Sequence, residues 1–259
     1  MTPRLYRMRP WDCSRRAVSE TVGRAEVATE PQLCPAPDTP ATLGDVSATG
    51  QGTRSLRFEL VVIVASLGGL EAVSAVLAGL PGSFPVPLLV VQHSRRTQNP
   101  DRLSWLLGRR TTLPVQTAQQ GLWIGAPGVT VIPGGSTATL GEARRLHLTD
   151  VDGLGGGDAL LSSAAAAAGS AVIGIVLTGM LRDGTEGVRA IKRHGGRVLA
   201  QDPATARARG MPSSAIATGC VDFVLPPHRI APALVTLIMA PGGADLFSVP
   251  TLPWARLHA

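Results

Sequence analysis

Three short apolar runs, each leading into a polar residue, constrain this chain more than any other feature of its sequence. The polar residues are Ser66, His93 and Asp183, which follow the runs at 60–64, 88–91 and 172–177, the last after a short loop. If these runs are parallel strands of one sheet, their carboxyl ends lie at the same edge, where α/β proteins bind their ligands. A hydroxyl, an imidazole and a carboxylate would then meet there, and together they can activate a hydroxyl nucleophile.

Strands and helices alternate along most of the chain. The predicted strands are Leu60–Val64, Pro87–Gln92, Ala171–Leu177, Arg197–Ala200 and Val221–Leu225. The predicted helices are Leu70–Leu80, Arg102–Leu107, Ala159–Ala168, Thr185–His194, Ser213–Thr218 and Ile230–Met239. This alternation, with only 3% aromatic residues, predicts an α/β fold: a doubly wound, mainly parallel sheet with helices on both faces.

Three segments differ from this alternation. Within residues 114–149, the runs Val129–Ile132, Thr137–Leu140 and Arg145–Thr149 are separated by glycine and proline and predict a small antiparallel hairpin insertion. Residues 1–57 are rich in Arg, Pro, Thr, Ala and Ser, and we expect a disordered leader or a start codon assigned too early. Residues 241–259 predict an irregular tail, which leaves 58–240 as the folded domain.

Composition excludes several classes of function. The net charge is +6, but the arginines form isolated pairs without interleaved aromatic residues, so we expect no nucleic-acid binding. Cys13, Cys34 and Cys220 are widely spaced, which predicts neither a metal site nor a disulfide framework. No apolar stretch reaches the ~18 residues of a membrane-spanning helix, and no secretory signal is recognisable. We therefore expect a cytoplasmic protein without membrane insertion.

The turn at Ser66 has two interpretations. The segment Val64–Gly69 is typical of a sharp strand-to-helix turn, and it resembles a G-x-S-x-G nucleophile elbow with Val64 in place of the first glycine. The alternative is a glycine turn that holds a phosphate at a helix N-terminus, as in nucleotide-binding proteins. A strict G-x-G-x-x-G and a P-loop lysine are both missing, yet the local motif by itself leaves both interpretations open.

His93 and Asp183 are also ambiguous when each is taken alone. A single histidine is more often packed or exposed than catalytic, and an aspartate before a helix is a favoured N-cap. In a triad, the aspartate would instead accept a hydrogen bond from the imidazole and hold its tautomer. We interpret Asp202 and Asp222 as also following strands, which makes them the alternative acids.

Several blocks of the sequence, in order, are similar to the catalytic domain of the CheB-type chemotaxis receptor methylesterases. The blocks are Val64–Ala72, Val91–His93, Gly128 with Ile132–Gly135, Leu177–Met180 with Asp183-Gly184 and Glu186-Gly187, Ala200–Asp202, Gly210–Pro212, Ala215-Ile216 and Gly219. The resemblance covers about residues 58–238, and the L-T-G-M…D-G block and the G-M-P turn are its most specific parts.

This resemblance implies a protein-glutamate methylesterase that also acts as a protein-glutamine glutaminase. Its substrates would be glutamate γ-methyl esters and glutamines on the cytoplasmic helices of methyl-accepting chemoreceptors or similar signalling proteins. The family's nucleophile, base and orienting acid correspond to Ser66, His93 and Asp183, and its oxyanion donors to the backbone N–H groups of Met180 and Leu67. No cofactor and no metal are implied.

The chain departs from the family pattern in three places. The 57 residues before Phe58 are too few for the receiver domain of many members, so we expect a stand-alone enzyme, with a separate response regulator as a candidate partner. In the serine turn, Leu67 replaces a small or hydroxyl residue and Val64 replaces a glycine. The family's Pro-Ser-Val-Asp becomes Gly155–Asp158, which retains only the aspartate. These changes make a non-catalytic interaction module of the same fold the alternative function.

Overall fold

The computed structural model describes residues 57–95, 98–151 and 156–246. The predicted leader, apart from Arg57, and residues 247–259 of the predicted tail lie outside these residues. Among the described residues, no helix is both long enough and apolar enough to cross a membrane.

Seven parallel strands form the central sheet, and two antiparallel strands form a separate hairpin. The strands are β1 (Leu60–Ala65), β2 (Pro87–Gln92), β3 (Val115–Thr117), β4 (Gly128–Ile132), β5 (Ser136–Leu140), β6 (Leu146–Asp150), β7 (Val172–Val176), β8 (Arg197–Gln201) and β9 (Phe223–Leu225). The sheet order is β3-β4-β2-β1-β7-β8-β9, and β5 pairs with β6. The chain winds outward from β1 in one direction and then in the other, which confirms the predicted doubly wound fold.

Helices cover both faces of the sheet. They are α1 (Gly69–Ala78), α2 (Arg102–Gly108), α3 (Gly157–Ala168), α4 (Thr185–Arg193), α5 (Gly210–Ala217), α6 (Pro227–Met239) and α7 (Gly243–Leu246). On one face, Val73 of α1 and Leu234 of α6 pack into a buried cluster. On the other, Leu160 of α3, Val188 of α4 and the β5–β6 hairpin pack into a second cluster. Successive β1 residues alternate between the two clusters, as expected for a strand buried on both faces.

Two predictions about local structure are wrong. Val129–Ile132 does not belong to the antiparallel insertion, because β4 pairs in parallel with β2 inside the main sheet, and only β5 and β6 form the hairpin. The glycines and prolines around this run suggested a hairpin, but four of the five β4 residues are buried, which suits an interior strand. The predicted irregular tail begins with the short helix α7.

Asp222, one of the two alternative acids, has a structural role instead. It precedes β9 rather than following a strand, so it lies at the sheet edge opposite Ser66. Its carboxylate pairs with Lys192 of α4 and accepts a hydrogen bond from the Val198 N–H (2.8 Å). The side chains of Lys192 and Asp222 are 4% and 0% exposed. This pair fixes α4 against β8 and β9.

Lys192→Met is expected to lower the free energy of unfolding by about 3–5 kcal/mol, because Asp222 is left as a buried charge without its cation. Arg189→Met on the same helix is the control. It breaks an ion pair with Glu186 that is largely exposed, and should cost at most about 1 kcal/mol. Urea denaturation measures both values. A cost for Lys192→Met no larger than that for Arg189→Met would contradict the prediction.

Candidate active site

Three neighbouring strands place the predicted residues at one edge of the sheet. Strand β1 lies between β2 and β7, and all three are parallel. The His93 N–H donates to the Ala65 carbonyl (2.9 Å), which continues the β1–β2 register and sets His93 beside Ser66. On the other side, the Ser66 N–H donates to the carbonyl of Thr178 (2.9 Å), just after β7. The structure therefore brings Ser66, His93 and the loop that carries Asp183 to one edge.

The chain reverses sharply after Ser66. Gly68 has a left-handed backbone (φ 82°), and α1 begins at Gly69, whose N–H donates to the Ser66 carbonyl (2.8 Å). The side-chain amide of Gln92, at the end of β2, donates to the same carbonyl (2.5 Å). Two donors thus hold the serine backbone in place. Ser66 is half-buried, and its hydroxyl has no hydrogen-bond partner among the residues that the structure describes.

The loop after β7 touches Ser66 through Gly179. A Cβ atom on Gly179 would lie 2.0 Å from Met211 Sδ and 2.8 Å from Ser66 Cβ, so this approach requires glycine. The Gly179 N–H donates to the Ala208 carbonyl (2.9 Å), and the Met211 N–H donates to the Gly179 carbonyl (2.9 Å). These bonds hold the backbone of Met180 close to the serine.

Thr178 connects the serine turn to β8. Its hydroxyl donates to the Leu67 carbonyl (2.9 Å) and accepts from the Ala208 N–H (2.9 Å), while its own N–H donates to Gln201 Oε1 (2.8 Å). Thr178 and Gln201 are 1% and 2% exposed, and an unpaired polar group at such depth would be costly. Both residues lie in blocks that resemble the family, but no role was predicted for either. The feature that could have identified them is a polar residue at the buried end of an apolar strand.

His93 and Asp183 are in direct contact. His93 Nε2 lies 2.5 Å from Asp183 Oδ2, and the two side chains are 6% and 20% exposed. One ring nitrogen thus faces the carboxylate, and the other remains for a second partner. No hydrogen bond joins Ser66 to His93 within the described chain, so the proximity of these two residues follows from the strand register alone.

The carboxylate of Asp183 is held ionised by its surroundings. Burial raises its pKa, but the hydrogen bond with the His93 imidazole and the backbone N–H groups of Asp158 and Gly157 outweigh burial and lower the pKa to about 2. These N–H groups donate to Asp183 Oδ1 (3.0 Å) and Oδ2 (2.8 Å), respectively. Asp183 therefore carries a negative charge beside His93 at neutral pH.

The N-cap interpretation of Asp183 is half right. Asp183 does cap a helix, but this helix is α3, whose first N–H groups it accepts, and not the following helix α4. The N-cap of α4 is Gly184, which makes no side-chain cap bond. Capping and the contact with His93 therefore use the same carboxylate, and they are not alternatives.

Two unbonded backbone N–H groups lie near Ser66. Within the described residues, neither the Leu67 N–H nor the Met180 N–H has a hydrogen-bond acceptor. The Gly68 N–H, next along the turn, is also without an acceptor among these residues. Free N–H groups at a strand-to-helix turn can bind a small oxyanion or a phosphate, so they leave both interpretations of the Ser66 turn open.

An apolar rim is formed by residues that adjoin Ser66 in the chain or follow the glycine that contacts it. We use this name for Leu67, Met180 and Leu181, which are 45%, 59% and 79% exposed. They make up half of the six large apolar side chains that are exposed in the described part of the chain. Leu181 also has a left-handed backbone (φ 65°), an unfavourable conformation for leucine. Exposed apolar groups concentrated in one place mark a contact surface.

Comparison with known proteins shows which family this chain resembles. Residues 61–234 match the family model described as CheB methylesterase. The chain is 44% identical over 184 residues to protein-glutamate methylesterase/protein-glutamine glutaminase 2 of Anaeromyxobacter dehalogenans, covering 70% of this chain and 54% of that protein. It is 38% identical over 182 residues to protein-glutamate methylesterase FrzG of Myxococcus xanthus, covering 69% and 54%.

A solved structure shows the same fold. The crystal structure of the Thermotoga maritima CheB methylesterase catalytic domain superimposes with a TM-score of 0.64 at 32% identity, covering 70% of this chain and 99% of that one. The similarity to the longer relatives is partial, since the chain spans 54% and 65% of the length of two Anaeromyxobacter dehalogenans relatives.

The low pKa of Asp183 predicts a pH-dependent stability. The folded state lowers this pKa from 3.8 to about 2, so the stabilisation is complete above about pH 4 and is lost as the pH falls through 2. The difference in unfolding free energy between the wild type and Asp183→Asn should therefore shrink by about 2 kcal/mol over this range. Denaturant titrations at several pH values measure it. A difference that stays constant with pH would contradict the prediction.

Proposed function

We propose that this chain, which belongs to the CheB methylesterase family, is a serine hydrolase that removes methyl esters from glutamate side chains and deamidates glutamine side chains of chemoreceptors. The observation that carries the proposal is the buried contact between His93 and the ionised Asp183, next to the free hydroxyl of Ser66. A neutral imidazole held by a carboxylate is the base that a serine nucleophile needs.

In the first half of the reaction, the Ser66 oxygen attacks the ester carbonyl carbon while His93 takes the hydroxyl proton. The base is the ring nitrogen that does not face Asp183, and the carboxylate stabilises the imidazolium that forms. His93 then gives the proton to the departing oxygen, and methanol leaves. With a glutamine side chain, the same proton goes to nitrogen and ammonia leaves.

In the second half, water replaces the leaving group. His93 takes a proton from the water molecule, whose oxygen attacks the glutamyl ester of Ser66. The proton returns to the serine oxygen as the bond to the glutamyl carbon breaks, which releases glutamate and restores the enzyme.

The negative oxygen that forms in both halves needs donors that are already in place. The unbonded N–H groups of Leu67 and Met180 supply them, and loss of one such donor typically costs about 10²–10³-fold in rate. The side chain of Leu67 replaces a hydroxyl residue of many family members, but its N–H is unaffected by that change. The altered serine turn is therefore compatible with catalysis.

The edge at His93 has no room for an enclosed small molecule. The cavity that His93 lines, with Ser94 and Gly134, has a volume of only about 10 Å³, against about 300–1,000 Å³ for small-molecule sites. A second cavity of about 360 Å³ lies beside the serine turn and is lined by Gly68 and Thr178. The rim is open and apolar, and four exposed arginines lie in the loops around it: Arg95, Arg182, Arg207 and Arg209. A helix with one apolar face and carboxylates beside the modified glutamate complements this surface. A cytoplasmic receptor helix has this chemistry.

Ser66→Ala should lower the rate of methanol release from methylated receptor cytoplasmic fragments by at least about 10³-fold, because the nucleophile is removed. Ser213→Ala, an exposed serine on α5, is the matched control and should leave the rate unchanged. A fluorophosphonate probe should label the wild type and not Ser66→Ala. Equal methanol release from Ser66→Ala and the wild type would refute the proposal. No labelling and no release would favour the non-catalytic module.

Leu181→Ser should raise KM for the receptor fragment by roughly 10-fold, because apolar contact with the substrate helix is lost. Val224→Ser, an exposed apolar residue on β9, is the control and should leave KM unchanged, since β9 is three strands away from β1, which leads to Ser66. Steady-state methanol release at varied fragment concentration gives KM. The same KM for Leu181→Ser and Val224→Ser would exclude the rim as the substrate surface.

A further inference from the structure

We infer that Asp158 is a positioning residue for Asp183, and that the two aspartates act as a pair by each capping the helix that belongs to the other. Asp158 is the second residue of α3, and Asp183 lies two residues before α4. The inference rests on the proposed function, because Asp158 would act in the same reaction. It would do so by positioning Asp183, which in turn orients His93. Asp158 itself lies behind the acid and takes no part in the chemical steps.

The hydrogen bonds between the two helix starts are reciprocal. Asp183 accepts from the N–H groups of Gly157 (2.8 Å) and Asp158 (3.0 Å), at the start of α3. Asp158 Oδ1 in turn accepts from the N–H of Gly187 (2.8 Å), in the first turn of α4. Each carboxylate thus satisfies orphan donors of the other helix and lies at the positive end of its dipole.

These reciprocal hydrogen bonds fix the position of the Asp183 carboxylate. Only Gly184 separates Asp183 from α4, so the position of α4 sets the position of the carboxylate. The bond from Asp158 to Gly187 holds the start of α4 against the start of α3. Without it, no other described group accepts from Gly187, and only the bonds from Gly157 and Asp158 to Asp183 link the two helix starts. The distance between Asp183 and His93 is then less tightly fixed.

Close packing around the pair leaves little room for another arrangement. A Cβ atom on Gly157 would lie 2.7 Å from Asp183 Oδ2 and 2.4 Å from Val64 Cγ1. The absence of a side chain at Gly157 therefore lets α3 reach the carboxylate, and it accommodates the valine that replaces the elbow glycine. The Gly155–Asp158 segment, read from sequence as a departure from the family, is thus consistent with a retained function for its one aspartate.

Two carboxylates at one place are electrostatically costly. Burial raises the pKa of Asp158, the Gly187 N–H lowers it, and the negative charge of Asp183 raises it again. The bond to Gly187 itself needs only an acceptor oxygen, which an asparagine supplies and an alanine does not. Substitution by asparagine therefore separates the geometry of Asp158 from its charge.

The test compares Asp158→Ala with Asp158→Asn by carboxyl NMR titration of Asp183. Removal of a neighbouring negative charge, by itself, would lower the pKa of Asp183 in both variants. If Asp158 positions Asp183, Asp158→Ala instead raises that pKa from about 2 towards 3.8, because contact with His93 is lost. Asp158→Asn keeps the acceptor for Gly187 and leaves the pKa at about 2 or lower. A pKa at or below 2 in Asp158→Ala would overturn the inference.

Kinetics give a second readout. Asp158→Ala should lower kcat by about 10²-fold with little change in KM, as expected for a base held out of place. In an Asp183→Asn background, Asp158→Ala should have little further effect, whereas a purely structural role would lower kcat by the same factor in both backgrounds. Glu186→Gln, an exposed carboxylate of the same helix turn, is the control. A wild type without esterase activity would refute the proposed function, and the pKa of Asp183 would still decide the inference.

Discussion

The contacts of the Asp183 carboxylate hold together the edge of the sheet at Ser66 and His93. The carboxylate contacts the imidazole of His93 and accepts the first N–H groups of α3 from Gly157 and Asp158. A carboxylate removed from water is costly unless it is paired and hydrogen-bonded, and these three partners meet that requirement. Because they come from β2 and α3, while Asp183 precedes α4, one ionised side chain fixes three segments of the chain relative to each other.

The serine side of the site is held differently, by neutral hydrogen bonds to the backbone. Gln92 donates to the Ser66 carbonyl, and Thr178 donates to the Leu67 carbonyl. Such bonds restrict the turn by neutral groups alone. The division suits the proposed reaction, because an ionised carboxylate stands behind His93, where it would stabilise the imidazolium, and unbonded N–H donors lie on the serine side.

The sequence predicts the fold and the candidate site residues better than it predicts the contacts between those residues. Periodicity found most strands and helices, because buried parallel strands are continuous apolar runs. It failed for Val129–Ile132, where flanking glycine and proline are equally typical of hairpins and of short interior strands. It could not show that Asp183 caps α3, because a capping partner 25 residues away leaves no local pattern. In the sequence, Asp158 is only the last residue left of a family motif. Its hydrogen bond with Gly187 is visible only in the folded structure.

The apolar rim supports the proposed class of substrate. Leu181 is both highly exposed and left-handed in its backbone, and the left-handed conformation costs a leucine stability. A loop that served only to deliver the Met180 N–H would be better with glycine at this position. In the proposed reaction the leucine has a purpose, because together with Leu67 and Met180 it offers apolar surface to a substrate helix that carries the modified glutamate.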